Sequence, residues 1–183
     1  VTQLVDGLTY RNTVTVNGGS RVESYSLELS PDSSVSPMLI QGDSTIYGNG
    51  NINRAVSLAQ AQGRRVLGGI NTDFFIMATG VPIGLVIEDG VYKSSNDGEN
   101  ALTLTDGRAA IVDRPQVSIS LYDHNTELTV IPTHFNKTRS ETDNIFLLNE
   151  YFSTVSTRGK GPGWYVRMKA AADPDTGEVP ELT

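Results

Sequence analysis

The 183-residue sequence contains no cysteine. That excludes a disulfide framework, a thiolate nucleophile and any zinc site built on sulfur. Basic residues are few: 14 Lys and Arg stand against 21 Asp and Glu, a formal net charge of -7. They are scattered, apart from Arg64-Arg65 and the Lys137 to Arg139 segment. An electrostatic hold on nucleic acid or an anionic membrane needs clustered positive charge, so neither partner is expected. No apolar run approaches the ~20 residues that cross a bilayer as a helix. The two histidines, His124 and His134, have no spacing that would make a metal site, and no metal or cofactor is expected.

What is present is ordinary globular composition, 38% hydrophobic and 19% charged, with enough length for a core in one domain spanning residues 1–183. The chain opens on Val1 and closes on a loop-like tail over 170–183 that includes Asp173-Pro174-Asp175. It is therefore expected to be an excised segment with more chain to follow.

Hairpin signals dominate the order of elements. Leu8, Tyr10, Val14 and Val16 alternate into Asn17-Gly18-Gly19, and Val22, Tyr25, Leu27 and Leu29 return. A tight turn between alternating runs needs positive φ at both central residues, which asparagine and glycine tolerate. Residues 35–40 are expected to form an edge strand, with Pro37 keeping it out of a sheet centre. Ile52, Ala55, Val56 and Ala59 follow helical spacing, with an asparagine cap before them and Gly63 after, which predicts the one main helix near residues 52–62. Gly48 and Gly50 before it do not make a dinucleotide loop: the third glycine is absent, Asn53 standing there, and no βαβ unit surrounds it.

Two further hairpins carry Asp-Gly at the tip, Asp89-Gly90 and Asp106-Gly107. Val117, Ile119 and Leu121 alternate toward a turn at Asp123-His124-Asn125, where His124 is expected to be solvated. A glycine-rich basic loop over 157–163 and a strand over 164–168 are expected near the end. The fold class is α+β, predominantly antiparallel or mixed β-sheet with hairpins and one helix.

The chain is organised around Gly68-Gly69-Ile70-Asn71-Thr72-Asp73-Phe74-Phe75, followed by Gly80-Val81-Pro82-Ile83-Gly84. Val66, Leu67 and Ile70 suggest a buried strand that delivers Asn71, Thr72 and Asp73 at its end. On a regular strand Asn71 and Asp73 share one face and Thr72 takes the other. An amide beside a carboxylate suits sugar hydroxyls, a positioned water or a metal. Asx residues at such places also cap turns and bond backbone. Phe74 and Phe75 are expected in the core, or one of them as an apolar wall for a sugar ring.

Asn71-x-Asp73-Phe74-Phe75, then Gly80-x-Pro82-x-Gly84, then an Asp-Gly turn resembles the first half of the phosphodiester glycosidase family. Asn136-Lys137-Thr138-Arg139 and Tyr151-Phe152-Ser153-Thr154 stand where that family has an Asn-x-x-Arg element and a later aromatic pair. The resemblance runs from about Leu8 to Met168. It implies a secreted or cell-envelope protein that hydrolyses glycosyl phosphodiesters, releasing sugar from a phosphomonoester. Asp73 and Arg139 would then be catalytic, Arg139 holding the phosphate through its planar guanidinium. Asn71, Thr72, Gly84, Asn136 and His134 would bind substrate, and His134 could also serve as a general acid or base.

The family's second half carries a further Arg-Thr element and a late Asp-Gly-Gly-Gly-Ser segment, and neither occurs here. The resemblance therefore implies half a site, with the C-terminal half of the same domain as its partner and little activity in this chain alone. Two other readings stand beside it: a non-catalytic carbohydrate- or envelope-binding module, and a structural β-rich surface domain with Asn71 and Asp73 bonded internally.

Overall fold

The computed structural model describes residues 1–41, 44–105, 108–123, 125–139, 143–154 and 162–168. Its architecture is α+β and β-rich: small antiparallel hairpins, one parallel strand pair and one helix. The largest sheet has three strands in the order β1 (Thr2–Val5), β2 (Leu8–Asn17) and β3 (Ser20–Leu29). Asn17 pairs with Ser20, so the turn residues are Gly18 and Gly19, at φ 56° and 85°. The asparagine is thus the last strand residue, and the two glycines carry the left-handed conformations that a type I′ turn demands.

Helix α1 (Ile52–Ala61) begins where the Asn51 side chain accepts the Arg54 N–H at 2.9 Å. It ends in a double bond pattern, Gly63 N–H to Gln60 C=O at 2.9 Å and Arg64 N–H to Ala59 C=O at 3.0 Å, with Gly63 at φ 78°. This is a Schellman closure, which satisfies carbonyls the helix itself leaves free. Among the described residues no helix is long and apolar enough to cross a membrane.

Strands β4 (Val86–Glu88) and β5 (Val91–Ser94) form the second hairpin, with Asp89 and Gly90 both at positive φ. Strands β6 (Ala101–Thr105) and β7 (Arg108–Val112) form the third. Its Asp106-Gly107 tip lies outside the described residues, as do His124 and most of the 157–163 loop. Strands β8 (Leu121–Asp123) and β9 (Leu128–Val130) close a short hairpin in which Asp123 accepts bonds from Asn125 N–H and the Thr126 hydroxyl. Strands β10 (His134–Phe135) and β11 (Phe146–Leu147) pair in parallel.

Three expected strands are absent. Residues 35–40 and 164–168 form none, and Trp164 is 100% exposed. At 35–40, Pro37 lacks the N–H that a ladder needs. Residues 66–72 also form no strand: none of their backbone groups bonds to another described residue, and Ile70 is exposed. Adjacent glycines weaken a strand there, and no described strand runs alongside to pair with it. The alternation of Asn71, Thr72 and Asp73 across a sheet is lost with the strand.

The core is small. Ile46, Val81 and Phe152 are buried together, with Tyr47 and Leu148 packed against them. Burying an aromatic the size of Phe152 is worth roughly 1.5–3 kcal/mol. Backbone bonds tie the pieces: Ile46 N–H to Tyr151 C=O and Tyr47 N–H to Phe152 C=O, each at 2.8 Å. On the other side Gly48 N–H donates to Thr79 C=O at 2.8 Å. Gly80, at φ 73°, lies so close that a Cβ would stand 2.1 Å from the Gly48 carbonyl oxygen. Tyr92 of β5 stacks on Phe135 of β10 at 4.9 Å and 16°, which joins the second hairpin to the parallel pair.

Candidate functional site

The segment from Phe74 to Ile83 folds back on itself. Ile76 N–H donates to Val81 C=O and Ile83 N–H to Phe74 C=O, each at 2.9 Å. This loop brings Gly84 under Asp73, whose Oδ2 accepts the Gly84 N–H at 2.8 Å. A Cβ on Gly84 would stand 2.8 Å from that same oxygen, so the carboxylate rests where only glycine leaves room. Asp73 is half-buried, while Asn71 and Thr72 are exposed and their side chains make no hydrogen bond among the described residues. Phe74 and Phe75, expected in the core, are 76% and 46% exposed. Their backbone is engaged by residues 82 and 83, while their side chains remain largely exposed.

Beneath the turn lies Lys137, 3% exposed. Its ammonium donates to three successive carbonyls, Pro82 at 2.6 Å, Ile83 at 2.7 Å and Gly84 at 3.3 Å. Asp97 Oδ2 stands 3.8 Å away. Burial pushes the Lys137 amine down from 10.5 to about 8, against the opposing pull of Asp97 and Asp73. Burial also raises the Tyr92 phenol to about 12, with Asp97 adding to the shift. A buried cation with three carbonyl acceptors is a satisfied one, which is what makes its burial tolerable.

His134 lies on the other side of Asp97, Nδ1 to Oδ1 at 3.5 Å, its ring stacked on Phe146 at 4.6 Å and 19°. The structure thus links Asp73, Gly84, Lys137, Asp97 and His134 through one turn. Asn136 is fully buried with φ 52°. Its amide donates to Lys93 C=O at 2.8 Å and to the Asn149 side chain at 2.7 Å, and its Oδ1 accepts the Asn149 N–H at 3.0 Å. As placed, it supports the scaffold and presents nothing to a ligand. Arg139 lies against the 162–165 segment: Nη1 donates to Pro162 C=O at 3.0 Å, and the guanidinium sits 5.2 Å from the centre of the Tyr165 ring.

Lys137 and Asp97 were not among the residues expected from sequence. Lys137 stands inside the Asn136-x-x-Arg139 element without a role of its own, and Asp97 lies in no motif. The only local signal is Asn136: its left-handed backbone breaks strand alternation, so Phe135, Asn136 and Lys137 are all buried in succession.

A shallow groove of about 240 Å³ runs between the sheet face of β1–β3 and residues 67–70. Tyr10 and Tyr25, stacked at 6.3 Å, line it with Leu67 and Ile70, and it ends next to Asn71 in the chain. Among the described residues no group of three or more His, Cys, Asp or Glu is placed to hold a metal ion. Compared with known proteins, the chain matches no family model, no curated protein and no solved structure.

Proposed function

We propose that this domain acts on glycosyl phosphodiesters, breaking the bond between sugar C1 and the phosphate oxygen. The observation that carries the proposal is the Asp73 carboxylate, anchored through one oxygen to the Gly84 N–H while Asn71 and Thr72 beside it stay open to solvent. A phosphomonoester leaves readily, so the reaction asks mainly for a carboxylate at C1, polar groups on the sugar and a cation near phosphate. Asp73 takes the first role and Asn71 with Thr72 the second. Arg139, backed by Tyr165, is assigned to the phosphate. The resemblance to phosphodiester glycosidases supports the same assignment and also a secreted or envelope setting.

The test is hydrolysis of an N-acetylglucosaminyl phosphodiester by this chain and by the longer polypeptide the resemblance implies. Release of sugar that falls at least about 100-fold in Asp73→Asn supports the proposal. Failure of both forms on several such diesters overturns it.

A second reading, a carbohydrate-binding module, is favoured by the tyrosine-lined groove beside Asn71. Aromatic faces offer apolar area with a polar edge, as sugar rings require. Glycan binding lost in Tyr25→Ala, in a protein that hydrolyses no diester, would establish it instead.

A further inference from the structure

The site contains a second carboxylate with an arrangement of its own. Asp97 is fixed by its backbone, since its N–H donates to Ile83 C=O at 3.2 Å, the same carbonyl that Lys137 binds. Two residues earlier Ser95 is zipped to β10: its N–H donates to Phe135 C=O at 3.0 Å, and its hydroxyl accepts the Phe135 N–H at 3.0 Å. These bonds hold the 95–97 segment and His134 at a set spacing. One carboxylate oxygen faces His134 Nδ1 at 3.5 Å and the other faces the Lys137 ammonium at 3.8 Å. Lys137 supplies the countercharge that a carboxylate beside a buried turn needs. Phe146 fixes the plane of the imidazole.

We propose that Asp97 is a positioning residue that holds His134 with Nδ1–H inward, leaving Nε2 to take the proton of the attacking water. This rests on the phosphodiester reading above. In the step, water oxygen bonds to sugar C1, and the C1–O bond to phosphate breaks with its electron pair leaving on the phosphomonoester. One water proton passes to His134 Nε2. Which imidazole nitrogen carries hydrogen is set by the partner of the other, and here that partner is Asp97. Apo distances of this kind commonly tighten when substrate binds.

Nitrogen-15 NMR of the His134 ring decides the pairing without substrate. Neutral His134 is expected as the Nδ1–H tautomer in the unaltered chain, and that tautomer is expected to be lost in Asp97→Ala. An Nε2–H ring in the unaltered chain overturns the proposal, and does so even if the variant fails to fold. With activity in hand, Asp97→Ala is expected to lower kcat about 100-fold with little change in KM. Adding His134→Gln should cost little more, because the two act as a unit. Additive losses, or an unchanged kcat in Asp97→Ala, overturn the role. If no diester is hydrolysed, the reaction proposed above fails while the tautomer still reports whether Asp97 orients His134.

Discussion

Phe74-Phe75 and Asn136-Lys137 exchange the places that their side chains would suggest. The two phenylalanines are 76% and 46% exposed, whereas the asparagine and lysine are 0% and 3% exposed. Hydrophobicity alone would reverse the order. The difference lies in what surrounds each pair. Asn136 and Lys137 are ringed by carbonyls and amides of three other segments, so every strong polar group finds a partner. A polar group satisfied in this way is cheap to bury, and one left orphaned is costly. Phe74 and Phe75 sit on a loop whose backbone is paired but whose rings stay largely open to solvent. Burial is a property of the neighbourhood as much as of the residue.

The largest effect is expected from breaking the polar side of that contrast at Asn136. Asn136→Leu takes one partner each from Lys93 C=O, the Asn149 N–H and the Asn149 Oδ1, which keeps the Tyr151 N–H, and places a bulky residue at φ 52°. A loss of about 2–4 kcal/mol in denaturant unfolding is expected. Unchanged stability would mean that the three bonds contribute nothing.

Lys137→Met is expected to cost about 1–3 kcal/mol at pH 7, because three carbonyls lose one donor. The pH dependence has a definite sign. The folded amine titrates at about 8 and the unfolded one at 10.5, so between those values the unfolded chain binds more protons. Stability from this group therefore rises with pH across that window and is level below it. Melting curves should show the native chain gaining on Lys137→Met from pH 8 toward 10.5. A gap that narrows instead would contradict the burial of the ammonium.

Gly84→Ala tests the close approach. Its Cβ would meet Asp73 Oδ2 at 2.8 Å, so the carboxylate must move. A stability loss of about 1 kcal/mol is expected, together with a marked fall in any diester hydrolysis. The smallest effect is expected from Phe74→Ser, within about 0.5 kcal/mol, since a ring this exposed has little packing to lose. A larger loss there would show that the ring is covered in solution.

The sequence by itself determined the local elements. The glycine-rich tip of the first hairpin, the Asp89-Gly90 turn, the Asn51 cap and the Gly63 stop were all legible, because each requirement is met within a few residues. Gly84 stands in a motif that was visible, but its need for glycine, set by a carboxylate eleven positions earlier, was not legible there. Tertiary structure alone decided that residues 66–72 find no ladder partner among the described residues, since a strand requires a neighbour that its own sequence does not name. It also decided that Lys137 would turn inward onto Pro82, Ile83 and Gly84, more than fifty residues away, and that Asp97 would stand between Lys137 and His134. Lysine is ordinarily solvated, and only the convergence of distant carbonyls and an opposite charge makes the burial of Lys137 tolerable. That convergence depends on how separate segments meet, which local pattern does not encode.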